Sequence, residues 1–256
     1  MDAGKLALGD LLILLSVIGA TENNSNPAEF AAAVGIRRDG LSEIHKLRRL
    51  IHHSVAPLLS QRDDESSTIL TRKISPPSGA QCRLLAELFA AGFGDHVAFY
   101  SGEEDLYKIG TEEKAQIHPD SVLAKKRCPI VMFQERFKNQ KGNLYLKGCW
   151  VIDTEQIVRM ASPYCRFSRV KSVPPKYDES TGKIIALYDA RYIKVNEDLG
   201  QHWRTLEDDN ETMLRFLTHA MLSGKVIEKF KPFCDKWVSP PEGFCLNLVI
   251  FGGKLF

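Results

Sequence analysis

The 256-residue chain lacks the short motifs that announce a complete active site. None of its Gly-Lys pairs is followed by Ser or Thr, so a phosphate-binding loop is absent, and GxSxG, HExxH and GxGxxG are absent too. Its six cysteines (82, 128, 149, 165, 234, 245) form no CxxC pair and have no histidine at ligand spacing, which argues against a zinc site. Scattered cysteines in a chain of this size read as reduced and intracellular. The apolar run Leu11–Ala20 (LLILLSVIGA) is too short to span a bilayer. With Asp2 and Asp10 around it and only Lys5 before it, the run also makes a poor secretory leader; a small secreted protein is the weakest of the readings. No internal repeat is visible. What is there, 44% hydrophobic and 26% charged residues, is an ordinary globular composition, long enough for one large domain or two to three small ones.

The net charge of +2 hides an uneven distribution. Ala124–Lys176 holds twelve Lys or Arg against three acids, a local excess of +9 that leaves the rest of the chain at about −7. Such a segment suits a polyanionic partner, because each neutralised phosphate releases condensed counterions; a solvated basic face without a partner is the plainer alternative. At its centre lies a β-hairpin pattern. Val131, Phe133, Glu135 and Phe137 alternate against Met132, Gln134 and Arg136, and Leu144 and Leu146 against Tyr145 and Lys147. The lysine-rich stretch Lys138–Asn143 between them reads as the loop, with Gly142 and Asn143 able to take positive φ.

Upstream, the pattern is helical. Asp10 is placed to cap a helix over Leu11–Ile18 that ends at Gly19, and Asn26-Pro27 opens a second that closes at Gly35. Leu41, Ile44, Leu47, Ile51 and Val55 recur at helical spacing up to Pro57. Ser60–Ser75 is a polar connection. Ser78 and Gln81 have capping-box spacing for a helix with Leu84, Leu85, Leu88 and Phe89 on its buried face. Residues 1–100 therefore read as one helical unit, since short helices need one another to bury their apolar faces.

Downstream, Asp153 and Gln156 start a short helix that Pro163 ends, and Val173-Pro174-Pro175 marks a linker. Lys183–Val195 alternates as one long or two short strands, Asp208 and Glu211 cap a helix ending at Gly224, and Lys225–Lys231 reads as a strand. Two isolated reactive candidates remain, His52-His53 and Cys128 beside Lys125-Lys126-Arg127. A basic neighbourhood lowers a thiol pKa, yet a thiol without a partnered histidine is more often structural.

Several stretches resemble one known family. Ile117-His118-Pro119-Asp120-Ser121-Val122-Leu123, then Pro129–Glu135, then Leu144-Tyr145-Leu146-Lys147-Gly148 are similar to the oligonucleotide-binding (OB) fold appended to DEAH-box RNA helicases. Ala161–Cys165 looks like the close of that domain, and Gly9–Leu15 with Ile44–Arg48 resembles the helical ratchet of the same enzymes. Gly94–Ala98 and Ser162–Phe167 look most like the nucleolar members that unwind a small nucleolar RNA from pre-ribosomal RNA. The two RecA-like domains and the winged helix of the family have no counterpart in this chain.

The resemblance implies an α+β architecture: a helical ratchet-like domain at 1–100, a small OB-fold β-barrel at 101–172 and a mixed α/β C-terminal domain at 173–256. It implies a partial gene product or truncated paralogue that grips single-stranded or structured RNA (pre-rRNA, small nucleolar RNA) and receives ribosome-assembly proteins or helicase activators, in the nucleus and nucleolus, with no membrane. Lys138, Lys141 and Lys147 are candidates to meet phosphates, and Lys125, Lys126 and Arg127 are second candidates. Tyr145 either stacks a base or fills the core. His118, Pro119 and Trp150 shape or fill the barrel. ATP and magnesium would bind the absent RecA-like domains, so no cofactor is assigned to this chain. A non-enzymatic module docking ribosome-assembly factors is the alternative. The purified chain is expected to release no phosphate from ATP above background in a coupled ATPase assay.

Overall fold

A computed structural model describes residues 9–59, 76–207 and 209–233. Its contacts divide the chain into Met1–Asp153 and Thr154–Phe256, whereas the sequence pattern drew boundaries at 100 and 172. The first unit joins helices to a seven-stranded sheet. Helix α1 spans Gly9–Asn23, α2 Pro27–Ala33, α3 Arg38–Leu59 and α4 Gly79–Gly92. Two caps are as predicted: the Asn26 side chain accepts from Glu29 N with Pro27 in the first turn, and Ser78 and Gln81 form a reciprocal capping box.

Three helical expectations are corrected. Helix α1 runs past Gly19, which is buried within it, and Asp10 lies inside the helix rather than capping it. Helix α4 buries Cys82, Ala86 and Ala90, while Leu84 and Leu88 are each 57% exposed. On α3 the expected buried residues Ile44, Leu47, Ile51 and Val55 are 38–56% exposed. A 3.6-residue period marks an apolar face but does not supply an element to cover it. The Ser60–Ser75 connection, the Asp208 cap and the chain after Phe233 lie outside the described residues.

The sheet contains β1 (Val97–Tyr100), β2 (Leu106–Lys108), β3 (Lys114–Ile117), β4 (Ile130–Met132), β5 (Glu135–Lys138), β6 (Leu144–Lys147) and β7 (Trp150–Val151), in the order β5-β6-β3-β2-β1-β4-β7. Only the β3–β6 pair is parallel. The predicted single strand Val131–Phe137 is two. Ile130–Phe133 is buried and pairs with β1, whereas Gln134–Lys138 is exposed, with Glu135–Lys138 pairing with β6 at the far end of the ladder. Phe133 N donates to His96 O at 3.1 Å and Gln134 N to Lys147 O at 3.0 Å, so one continuous stretch of chain belongs to both ends of the sheet. The sheet is curled, but the closed barrel implied by the resemblance is not formed among the described residues, because the second edge of β4 is paired with β7.

Leu123, Val131, Phe133, Leu146, Ile117 and Tyr107 are central to the core of this unit. Helix α4 docks on it through Phe89 and Phe93, whose rings stand 5.7 and 5.8 Å from Trp150. Trp150 is fully buried, as a filling role requires; Pro119 is exposed and His118 half-buried, so neither fills the interior.

The Asp10 carboxylate ties α1 to this sheet. One oxygen accepts from Ser121 Oγ and Val122 N, both at 3.0 Å, and the other from Cys149 N at 2.8 Å; Asp10 N donates to Cys149 O at 2.9 Å. The preceding Gly9 has φ +49°, and a Cβ there would lie 2.3 Å from Cys149 O, so no other residue allows this approach.

The second unit contains α5 (Thr154–Met160), β8 (Cys165–Arg169), β9 (Lys176–Asp178), β10 (Lys183–Tyr192), β11 (Glu197–Thr205) and α6 (Asn210–Leu222). Its sheet runs β11-β10-β8, with β9 also paired to β10. Ile184, Ala186, Tyr188, Leu206 and Phe216 form its core. Strand β10 is a single long strand; β11, polar and with one buried residue, Leu199, carries too weak an alternation to be read from sequence. Asp209 caps α6, accepting from Thr212 N at 3.0 Å. The predicted strand at Lys225–Lys231 is instead a 3-10 turn at Glu228–Phe233, where Pro232 cannot donate to a ladder. Val173–Pro175 connects β8 to β9 inside this unit rather than linking domains.

Replacing Asp10 by Ala leaves three donors without their shared acceptor and is expected to lower stability by roughly 3 kcal/mol. Urea unfolding of the variant against the parent chain measures this, with Gly9→Ala expected to destabilise in the same direction.

Candidate nucleic-acid interface

The basic hairpin forms as its sequence predicts. Strands β5 and β6 pair Glu135 with Lys147, Arg136 with Leu146, Phe137 with Tyr145 and Lys138 with Leu144. Asn139 N donates to Asn143 O at 3.0 Å, the Asn139 side chain accepts from Asn143 N at 2.8 Å, and Gly142 takes φ +86°.

This register decides which side chains share a face, because directly opposed residues of an antiparallel pair point the same way and neighbours alternate. Leu146 is fully buried, so Arg136, Lys138, Leu144 and Leu146 belong to the inner face. Glu135, Phe137, Tyr145 and Lys147 belong to the outer one. Tyr145 is therefore not a core residue. Lys147 Nζ stands 4.4 Å from the centre of the Phe137 ring, which is 41% exposed. His118, at the end of β3, meets the Phe137 and Tyr145 rings edge-on at 6.2 and 5.6 Å. His118 N donates to Leu146 O at 2.9 Å, holding that ring against the hairpin. Beside this face opens a cleft of about 360 Å³ lined by Ile13 and Leu14 of α1 together with Asp10, His118, Gln134 and Lys147.

The seven predicted site residues are not gathered into one patch. Tyr145 and Lys147 lie on the outer face, while Lys138 and Lys141 are exposed at the hairpin tip, Lys138 on the opposite face. Because β6 runs parallel to β3, that tip lies at the end of the sheet where β2 turns into β3, and Arg136 there pairs with Glu113 at 3.1 Å. Lys125, Lys126 and Arg127 are exposed at the other end, beside the β1–β2 turn, where Arg127 Nε donates to Asp105 at 2.7 Å. That bond holds the Arg127 guanidinium pKa above its ordinary value.

Phe137 and His118 are the residues that sequence reading missed. Alternation grouped Phe137 with Val131 and Phe133, both of which are buried; only the bend at Phe133–Gln134 and the closed turn bring it beside Tyr145. Cys128 does not behave as an activated thiol. Burial raises its pKa, and the nearby Lys126 ammonium opposes this with a smaller effect. His52 and His53 sit on α3 with rings 6.1 Å apart, not on the hairpin. Among the described residues no group of three His, Cys, Asp or Glu could hold a metal ion, and no helix is long and apolar enough to cross a membrane.

Residues 85–164 match the family described as oligonucleotide/oligosaccharide-binding (OB)-fold. The chain is 30% identical to the human protein named Probable ATP-dependent RNA helicase DHX37, over 94% of its own length and 21% of that protein. It is 28% identical to Probable ATP-dependent RNA helicase kurz of Drosophila melanogaster, over 91% of this chain and 21% of the relative. Over nearly its whole length the chain is homologous to one part of these RNA helicases. This helicase homologue spans about a fifth of the curated relatives it matches. Among solved structures, the E. coli DExH-box NTPase HrpB is similar at a TM-score of 0.32 and 16% identity, over 67% of this chain and 20% of that one.

With its pKa raised by burial, Cys128 is expected to be alkylated by iodoacetamide more slowly than free cysteine at pH 7.5, and to need a higher pH than free cysteine to reach its full rate. Peptide mass spectrometry of the labelled chain resolves it from the other thiols.

Proposed function

We propose that this helicase homologue is the C-terminal accessory module of an ATP-dependent RNA helicase and grips single-stranded RNA on the outer face of its β5–β6 hairpin. The observation that carries this reading is the pairing of Phe137 and Tyr145 on one exposed face, with Lys147 over the Phe137 ring and His118 closing its side. Rings offer stacking platforms indifferent to base identity, and an ammonium beside them meets a phosphate, the combination that single-stranded nucleic acid requires. Lys141 at the tip extends the positive track, and Lys138 adds charge there from the opposite face. Homology to RNA helicases and an OB-fold match support RNA as the polyanion.

In this proposal the motor domains that bind ATP and magnesium lie outside the chain, which supplies grip beside the motor and a place for activators to dock. The setting proposed is small-subunit pre-rRNA processing in the nucleolus, with pre-rRNA or a small nucleolar RNA as substrate, on the resemblance of Gly94–Ala98 and Ser162–Phe167 to members working there. A second reading, docking of acidic segments of ribosome-assembly proteins, is favoured by the exposure of Lys125 and Lys126 at the end of the sheet remote from the hairpin tip.

Titrating salt against binding of a twelve-nucleotide oligouridine separates the two. Phe137→Ala with Tyr145→Ala is expected to weaken binding roughly tenfold or more while leaving the slope of log affinity against log salt unchanged. Lys138, Lys141 and Lys147 changed together to Ala are expected to flatten that slope by about 2, and Lys125→Ala with Lys126→Ala to leave it as it is. A slope that depends on Lys125 and Lys126 alone would overturn the assignment.

A further inference from the structure

The cleft beside the hairpin has walls of two kinds. Ile13 and Leu14, one turn beyond Asp10 on α1, line it with apolar side chains that are 46% and 53% exposed. The rest of the lining is polar, with His118 and Asp120 after β3, Gln134 and Glu135 at the bend, and Lys147 on β6. Asp10 also borders the cleft, but its two oxygens already accept from Ser121, Val122 and Cys149. Asp120 is placed by its neighbour: Asp120 N donates to His118 Nδ1 at 3.3 Å, and the Asp120 carboxylate stands 3.5 Å from the same nitrogen.

Two of these residues belong as well to the face proposed to hold RNA. Lys147 stands over the Phe137 ring and His118 meets the Phe137 and Tyr145 rings edge-on, so a strand stacked on those rings passes the mouth of the cleft. A volume of about 360 Å³ admits one base with its sugar and leaves no room for a helix. Charge decides which part of the strand enters. The exposed carboxylates of Asp120 and Glu135 repel a phosphate, whereas a neutral base finds an apolar surface for its ring and acceptors for its edge.

We infer that the cleft receives one unstacked base of the gripped strand and selects guanine, with the Asp120 carboxylate as the selecting group. An ionised carboxylate only accepts hydrogen bonds, through two oxygens side by side. Guanine is the RNA base whose Watson–Crick edge carries two adjacent donors, N1–H and the 2-amino group, and one carboxylate answers both. Adenine and cytosine each offer an amino group beside an acceptor nitrogen. The single N3–H of uracil lies between two carbonyl oxygens that the carboxylate repels. Ile13 and Leu14 support the ring, and the clasp at Asp10 fixes them one turn away. This inference rests on the reading of the hairpin as an RNA grip and adds base preference to it, which stacking on Phe137 and Tyr145 does not supply.

The test measures binding of labelled RNAs to the full chain by fluorescence anisotropy, comparing a twelve-nucleotide oligouridine with the same strand carrying one central guanosine. The guanosine strand is expected to bind roughly fivefold or more tighter. Inosine at that position keeps N1–H and lacks the amino group, so it is expected to lose most of the gain, and adenosine to give none. Asp120→Asn leaves one acceptor where two are needed and is expected to bring the uridine and guanosine strands within about twofold of each other. Glu135→Gln is expected to keep the preference. Should Asp120→Asn fail to fold, the inosine strand measured on the parent chain still decides. If oligouridine binds and guanosine adds nothing, or if inosine or adenosine serves as well as guanosine, the inference is overturned while the grip stands. If neither strand binds, the grip falls and takes the inference with it. A preference erased by Glu135→Gln and not by Asp120→Asn overturns the assignment to Asp120.

Discussion

One carboxylate holds the helical and sheet parts of the first unit in register. Asp10 accepts from three donors on two different loops, the Ser121–Val122 turn after β3 and Cys149 between β6 and β7, and its own N–H returns a bond to Cys149 O. Such bonds to a charged acceptor are worth more than neutral ones, and losing the acceptor strands three donors at once. Position as well as energy follows. The entry of α1 is pinned against the sheet at contact distance, which only a glycine at position 9 allows, and Ile13 and Leu14 are thereby brought to the cleft beside the hairpin.

The second constraint is the bend at Phe133–Gln134. Before it the chain is buried and pairs with β1; after it the chain is exposed and pairs with β6. Gly148 makes the crossing possible, since with φ +63° a Cβ there would fall 2.8 Å from the Gln134 side chain. The bend releases the later residues from the core. Phe133 and Phe137 look equivalent by parity, yet one is 1% and the other 41% exposed. The ring surface proposed to stack bases exists because of that change of surroundings along a single run of chain.

Charge is distributed differently from what the basic stretch Ala124–Lys176 suggests. Several of its cations are committed within the structure: Arg127 to Asp105, Arg136 to Glu113, Arg169 to Asp209, and Lys176 to the Trp203 ring. Lys125, Lys126, Lys138 and Lys141 stay exposed, but at opposite ends of the sheet. A count of +9 therefore overstates any single patch, and ring placement discriminates the hairpin face better than net charge does.

The capping pairs Asn26–Glu29 and Ser78–Gln81, the hairpin with its Gly142 turn and the long strand β10 were legible in the chain, because each depends on contacts a few residues apart or on a period of two. So was the resemblance carried by Ile117–Leu123 and Pro129–Glu135, which the family match over 85–164 bears out. Long-range pairing was not legible. That Asp10 is a clasp rather than a cap, that Val131–Phe137 is two strands, that β11 exists and that α3 keeps its apolar face exposed all depend on which distant segment arrives beside them. The sequence by itself determined local conformation and kinship, since both are written in neighbouring residues. Tertiary structure alone decided which side of the hairpin faces out, and with it which of the predicted residues can act together, because a pleated strand shows its two faces equally until a core claims one of them.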